Sequence, residues 1–457
     1  MSEVRDRPVK RISRPVWCAA IVVALGAFLA NMDSSIVAVG LESLRAAFGA
    51  ELVRIQWVAT AYLLGLSAVL PLTPWLTRRL GAGRLWLSAL SGFLLTSVAC
   101  ALSPTAEVLI AVRAAQGMTA GILVAAGQTV IGLAVGPERL GRMMGVLGLV
   151  VGLAPIAGPS VGGFLLARFG WPSMFWLNLP VGVLALVLAV RFVPRGERQA
   201  PPPIDWSGLL LVSLGLPLTV YALTGIGIPQ TSHLLDGVLA LIGVGALAVF
   251  AWRTLHTPRP VLRLRLLARP VPAAASSTLV TAAAGMYGAV LLVPLWFQLQ
   301  LGAGAAETGL LLVPMGVGTT VTVALAGRLV DRLGGGPVAL AGALLVLVST
   351  VPWPWLGPGT PMIAVQVLLV VHGIGLGLSL MPATTAAYAS VRASELGDAT
   401  ALANIVLRVG GAAGSALTVI VLAQGGFRAA FGLLAVLAGC AVLAASWLTR
   451  AENGRKL

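Results

Sequence analysis

Charged residues are scarce in this chain of 457 residues: Asp, Glu, Lys and Arg together make up 10% of it. An ordinary soluble domain carries about 25% charged residues, so the composition excludes that class. Hydrophobic residues account for 58% of the chain, which also excludes a disordered protein, because disorder requires low hydrophobicity. A helix crosses a bilayer with about 20 apolar residues. We therefore expect an all-α polytopic membrane protein.

Cysteine and histidine are also rare, with three residues of each. Cys18, Cys100 and Cys440 lie far apart in apolar runs, so neither a metal site nor a disulfide framework is expected. The three histidines are scattered, whereas an enzyme needs clustered reactive side chains. There is no Walker-type phosphate loop. The sequence therefore favours neither a membrane enzyme nor an ATP-driven pump, and no cofactor is expected.

The charge that is present is mostly positive, with a formal net charge of +15. In a soluble protein this excess would suggest nucleic acid, but here the basic residues separate apolar runs, so no nucleic-acid partner is expected. With the N-terminus inside, 24 of the 30 Lys and Arg residues fall on inner segments and four on outer ones. The positive-inside rule then predicts fourteen spans with both termini cytoplasmic. The apolar runs lie near 17–41, 54–74, 85–103, 106–134, 143–167, 172–190, 206–225, 234–252, 271–298, 308–326, 337–355, 361–381, 397–423 and 429–448.

Two inner loops repeat one pattern. Residues 76–83 and 329–336 are identical at five of eight positions, with an offset of 253 residues. Duplicated halves around a central site are common in secondary transporters. The pattern predicts two six-helix bundles with two inserted spans between them. The expected divisions are an N-tail (1–16), a first bundle (17–195), the inserted spans (196–255), a cytoplasmic loop (256–270), a second bundle (271–448) and a C-tail (449–457).

The same loops make the chain resemble the major facilitator superfamily, and more narrowly its fourteen-span drug:proton antiporter branch. The family's inner-loop motif, G-x-L-a-D-R-x-G-R, is well matched by residues 327–334. The first-half copy has Pro74 in place of the opening Gly and Arg78 in place of Asp. The resemblance implies a major facilitator fold of two pseudo-symmetric bundles, with a latch in these loops. The implied gating residues are Arg79, Gly81, Asp331, Arg332 and Gly334.

The fifth apolar run is rich in glycine and proline and resembles the antiporter motif of exporters in this family, G-x(3)-G-P-x(2)-G-G. It departs at the opening position, which is Ala154. Glycines allow a neighbouring helix to approach closely, and a proline permits a bend. A generic helix packed through small residues is the alternative interpretation. The motif residues are Gly152, Gly158, Pro159, Gly162 and Gly163.

One acidic residue, Asp33, lies deep in a predicted span, where a charge is costly and predicts function. Its segment resembles the branch's first-span motif, and Arg113 with Gln116 resembles the family's R-x-x-Q-G motif in the fourth span. Both charges lie roughly 10–12 Å below the outer surface at about 1.5 Å per residue, so they could pair. Tilting of the bundles is expected to move the pair apart and let Asp33 exchange a proton. A static ion pair is the alternative.

The predicted function is a proton-coupled antiporter that exports small apolar or cationic organic compounds from the cell through the inner (plasma) membrane. A dedicated exporter of one endogenous metabolite or self-made antibiotic is the alternative, followed by a membrane sensor or enzyme. The expected partners are the substrate, protons and lipid, and a monomer is expected. Aromatic residues near span ends could contact substrate or anchor the interface, and Arg408 could line the cavity or pair structurally. The candidate cavity residues are Asn31, Trp57, Tyr62, Gln116, Trp296, Gln298 and Arg408.

Overall fold

The computed structural model describes residues 13–136, 139–200, 203–225, 233–258 and 260–456. In these ranges the regular structure is helical, without strands. The α-helices are α1 (Arg14–Phe48), α2 (Leu52–Val69), α3 (Thr73–Leu80), α4 (Ala82–Ala101), α5 (Ala106–Val135), α6 (Leu140–Phe169), α7 (Ser173–Trp176), α8 (Asn178–Phe192), α9 (Trp206–Gly225), α10 (His233–His256), α11 (Pro270–Leu301), α12 (Ala305–Leu333), α13 (Gly335–Thr350), α14 (Met362–Ala389) and α15 (Leu396–Lys456).

Most predicted apolar runs correspond to a single helix, and the exceptions have local causes. Helices α2 and α3 follow one another through a short 3₁₀ turn at Leu70–Leu72. Helix α15 covers two predicted runs, which meet at Gly426, where φ is 67°; glycine reaches that conformation without strain. Within the described ranges, ten helices are long and apolar enough to cross a membrane, or eleven if one bent pair counts as a span. The chain is therefore a multi-pass membrane protein.

The helices form two bundles with a pair of helices beside them. In the first half (α1–α8), α1 packs against α6 and α8, and α5 packs against α2 and α4. In the second half (α11–α15), α11 packs along α15, and α14 packs against α12 and α13. Helices α9 and α10 pack on each other, and α9 also contacts α2 and α15. Helices α9 and α10 thus lie beside the bundles, and α9 contacts both halves.

Close packing of α2 on α5 sets the position of the first half's polar residues. A Cβ on Gly117 would overlap the backbone carbonyl of Tyr62, and a Cβ on Gly65 would overlap that of Ala114. Small residues let helix backbones approach at such points. Residues near Gly117 on α5 are consequently held against the interior side of α2.

The two halves meet at one end of the molecule, where α3 and α12 end and α6 and α15 begin; we call this the basic end. There a Cβ on Gly327 would lie only 2.5 Å from the carbonyl oxygen of Gly141, so α12 and α6 are in backbone contact. The hydroxyls of Thr129 and Thr400 are 3.0 Å apart and join α5 to α15. Beyond these contacts the halves separate around a central cavity.

Candidate functional site

Helices α1 and α5 bring Asp33 and Arg113 into direct contact. The Nη1 atom of Arg113 donates a hydrogen bond of 2.5 Å to Oδ2 of Asp33. Both residues are only 1% exposed. Burying either charge alone would be strongly unfavourable, whereas a hydrogen-bonded pair compensates much of the lost solvation. The two deep charges of the first half therefore form one ion pair.

Two amide side chains complete the surroundings of the carboxylate. Oδ1 of Asp33 accepts a hydrogen bond of 2.8 Å from Nδ2 of Asn178 and a longer one, 3.4 Å, from Nε2 of Gln116. Gln116 in turn accepts a 2.7 Å hydrogen bond from Arg113. We call Asp33, Arg113, Gln116 and Asn178 the Asp33 network. The Asp33 carboxylate thus accepts hydrogen bonds from three side chains.

The network joins three helices of the same half, because Asn178 is the first residue of α8. Asn178 also donates a hydrogen bond of 2.9 Å to the Ser97 hydroxyl on α4. Sequence reasoning did not select Asn178. The available signal was its amide at the start of an apolar run, in the segment Leu177-Asn178-Leu179-Pro180.

Between the halves lies a central cavity of about 350 Å³. Its walls come from α1, α2, α5 and α6 of the first half and from α11, α14 and α15 of the second. The polar residues that line it are Asn31, Ser34, Tyr62, Gln128, Tyr287, Thr384, Asn404 and Arg408.

Tyr62 separates this cavity from the Asp33 network. Its ring lies 4.3 Å from the guanidinium of Arg113, and it also lines the cavity. Its hydroxyl donates a hydrogen bond of 2.8 Å to the carbonyl of Ala30. Asp33 is not among the cavity-lining residues, so the carboxylate lies one side chain behind the wall.

Three of the seven candidate cavity residues, Asn31, Tyr62 and Arg408, line the cavity. Gln116 lies in the Asp33 network instead. The other three are elsewhere. Trp57 stacks on Tyr221 of α9, with ring centroids 5.3 Å apart. Trp296 is buried against Trp353 within the second half, and Gln298 is exposed.

The repeated loops lie at the basic end, and two of the proposed gating residues share a backbone conformation with positive φ. Gly81 has a φ of 85° and Gly334 a φ of 93°, a region that favours glycine. A Cβ on Gly81 would lie 2.7 Å from the carbonyl oxygen of Arg195. A Cβ on Gly334 would lie 2.9 Å from the Glu452 carboxylate. Each loop thus packs against the segment that closes its own half.

The charged gating residues have different roles in the packing. Oδ1 of Asp331 accepts a hydrogen bond of 3.3 Å from the backbone N–H of Arg142, at the start of α6, and so joins the halves. Arg79 lies with its guanidinium 5.0 Å from the Trp75 ring. Arg332 is exposed.

Arg78, which departs from the loop motif, makes the closest ion pair between the halves in the described ranges. Its Nη1 atom lies 3.0 Å from Oδ2 of Asp398, in the first turn of α15. The Asp398 side chain is fully buried. Arg263 adds a second, longer contact of 3.7 Å to the same oxygen. The sequence did not identify Asp398 as a partner, because 320 residues separate the two.

The glycine motif of α6 packs against α1 at two of its positions. A Cβ on Gly158 would overlap the Ser35 side chain, and one on Gly162 would lie 3.0 Å from Ile36. A Cβ on Gly163 would meet no described atom within 4 Å. Gly152 and Pro159 are in α6, but their packing lies outside the described residues. The motif therefore faces the helix that carries Asp33.

Two known proteins are similar to this chain in sequence. The chain is 31% identical over 408 residues to the "Multidrug resistance protein B homolog" of Mycobacterium tuberculosis (strain ATCC 25618 / H37Rv), covering 88% of this chain and 75% of the relative. It is 27% identical to the "Lincomycin resistance protein LmrB" of Listeria monocytogenes, covering 90% and 87%.

Solved structures share the fold. The "proton:xylose symporter XylE" superposes with a TM-score of 0.69 at 16% identity, over 95% of both chains. The "human organic anion transporter MFSD10 (TETRAN)" gives 0.66 at 16% identity, over 95% of this chain and 100% of that one. The family model of the Major Facilitator Superfamily matches residues 23–415 and 276–457. With its two bundles and central cavity, this chain belongs to the Major Facilitator Superfamily, and it is a membrane transporter rather than an enzyme.

Proposed function

We propose that the protein is a proton-coupled exporter of small, largely apolar organic molecules. It acts as a monomer of fourteen spans in the inner (plasma) membrane, with both termini and the basic end on the cytoplasmic side. The observation that carries this proposal is the buried Asp33–Arg113 pair directly behind the wall of the central cavity.

Our proposed count of fourteen spans combines helices that continue one another. Helices α2 and α3 form one span, α7 and α8 form another, and the two arms of α15 meet at Gly426 and form two. The remaining ten long helices each form one. The arginines of the loops at the basic end support a cytoplasmic location by the positive-inside rule.

The location of the Asp33 network changes the mechanism expected from sequence. Tilting of the two halves was expected to move Asp33 and Arg113 apart. Both residues lie in the first half, however, on helices that pack together, so a rigid-body tilt leaves the pair intact. We infer that alternating access instead changes which side of the membrane has water access to the Asp33 network, by a route past Tyr62. Protonation of Asp33 then requires the Arg113 hydrogen bond to loosen locally.

Export rather than import is supported by the glycine motif of α6, which resembles that of exporters. The relatives named for multidrug and lincomycin resistance agree with this direction. The apolar wall of the cavity suits organic molecules, since pockets for such ligands combine apolar surface with few polar groups.

The test is Asp33→Asn in proteoliposomes with an imposed pH gradient. The amide keeps the size of the side chain but cannot carry the proton, so we expect gradient-driven transport to be lost while the protein still inserts and binds substrate. Glu107→Gln is the matched control, because Glu107 is an exposed acid on the outer turn of α5. Normal gradient-driven transport by Asp33→Asn would refute proton coupling at this residue.

A further inference from the structure

Within the described ranges, Arg408 lies in the central cavity without a carboxylate among the lining residues. It is on α15 and lines the cavity. Within the described ranges its Nε atom has no hydrogen-bond partner. By contrast, two arginines at the interface of the halves each lie near a carboxylate, Arg78 near Asp398 and Arg142 near Asp331. A guanidinium has five N–H donors and cannot be deprotonated in proteins.

No acid of the described residues is available to neutralise Arg408 inside this cavity. The lining residues include no Asp or Glu. The deep acid of the first half, Asp33, already accepts a hydrogen bond from Arg113 and lies behind Tyr62. The acids of the basic end, Asp398 and Asp331, are used in contacts between the halves.

Several other polar side chains of the wall form hydrogen bonds within the protein. Oε1 of Gln128 accepts hydrogen bonds from Tyr388, at 3.0 Å, and from Asn404, at 2.8 Å. The amide of Asn31 and the hydroxyl of Thr384 each donate to a carbonyl of their own helix. Among these described lining residues, Arg408 is the charged one.

An unpaired cation at the depth of a membrane is unfavourable, and residues of this kind mark substrate or ion pathways. An anionic group of a ligand would relieve that cost, whereas a cationic ligand would add repulsion. A guanidinium and a carboxylate also match as two parallel hydrogen bonds. The wall also has apolar residues, which include Ala27, Leu66, Val124, Leu147 and Met381.

We propose that the central cavity binds small apolar organic acids, with the ligand carboxylate on Arg408 and the apolar body against the walls of both halves. This rests on the proposed transport function and narrows its substrate class. It differs from the sequence-based expectation of small apolar or cationic compounds.

The test compares three ligands with one apolar body: 2-naphthoate, 2-naphthamide and the cation of 2-naphthylmethylamine. Each displaces tritiated 2-naphthoate from the purified full-length protein in nanodiscs. We expect the carboxylate to bind at least about tenfold more tightly than the amide, as a charge-assisted pair predicts, and the amine to bind most weakly. Arg408→Gln should reduce naphthoate affinity to that of the amide, and Arg408→Lys should keep part of the preference.

The matched control is Arg428→Gln, which removes one positive charge from an exposed position of the same helix and should leave the preference unchanged. Equal binding of the three ligands by the wild type, absence of saturable naphthoate binding, or an unchanged preference in Arg408→Gln would refute the proposal. The wild-type series decides the question even if a variant fails to fold. Naphthoate binding without gradient-driven transport would instead contradict the proposed function while leaving this site intact.

Discussion

Arg78 and Asp398 form an ion pair of 3.0 Å across the two halves, although 320 residues separate them in sequence. Arg78 stands where the family's loop motif has an aspartate, so the charge of this position is reversed. Asp398 lies in the first turn of α15, where a negative charge also interacts favourably with the helix dipole. The altered first-half loop therefore still joins the halves, but the basic residue is in the loop and the acidic residue is on α15.

Reversing the charge of Arg78 alone should open the basic end, and reversing both charges of the pair should close it again. Arg78→Asp leaves Asp398 buried beside a second negative charge, and breaking a buried pair costs about 3–5 kcal/mol. We expect a large loss of the disulfide formed between cysteines placed at Thr129 and Thr400, whose hydroxyls are 3.0 Å apart. The background should carry Cys18→Ser and Cys440→Ser.

The double variant Arg78→Asp with Asp398→Arg is expected to recover the cross-link. Arg79→Asp serves as the control, since Arg79 contacts Trp75 in its own half rather than Asp398. A cross-link that is insensitive to Arg78→Asp would show that other contacts hold the basic end closed.

Asn178→Ala tests the residue that the sequence did not identify. Removing its amide takes one donor from the Asp33 carboxylate and leaves the Ser97 hydroxyl without that bond, at a cost of about 1–3 kcal/mol. Because Asn178 is fully buried and does not line the cavity, gradient-driven transport should fall about tenfold with little change in substrate affinity. Gln298→Ala, at an exposed position, should change neither quantity. A selective loss of affinity would place Asn178 in substrate binding instead.

The glycine motif of α6 can be tested at two of its glycines, Gly158 and Gly163. Gly158→Val places a side chain against Ser35 on α1, two residues from Asp33, and overpacking of this kind costs about 1–3 kcal/mol. We expect impaired transport and a lower thermal-unfolding midpoint. Gly163→Ala meets no described atom within 4 Å and should behave as wild type. Equal effects of the two changes would mean that contact with α1 is not what the motif provides.

Several features were predictable because they depend on residues close together in sequence. Apolar runs predicted the helices, since each span must satisfy its backbone hydrogen bonds internally. The repeat at 253 residues predicted two halves, and Gly81 and Gly334 share a backbone conformation. The proximity of Asp33 and Arg113 followed from equal depth, because buried charges require compensation.

Only the tertiary structure decided which side chains share the cavity. Trp57 and Trp296 are equally aromatic and near helix ends, yet one stacks on α9 and the other is buried among aromatic rings of the second half. Hydropathy gives the depth of a residue but not the direction in which its side chain faces.

The sequence by itself determined the membrane-spanning helices, their two-fold repetition and the buried carboxylate. The packing of helices distant in sequence determined that Arg78 pairs with Asp398 and that Arg408 faces a cavity whose described lining has no carboxylate. Such contacts depend on helix rotation and on which neighbour is adjacent.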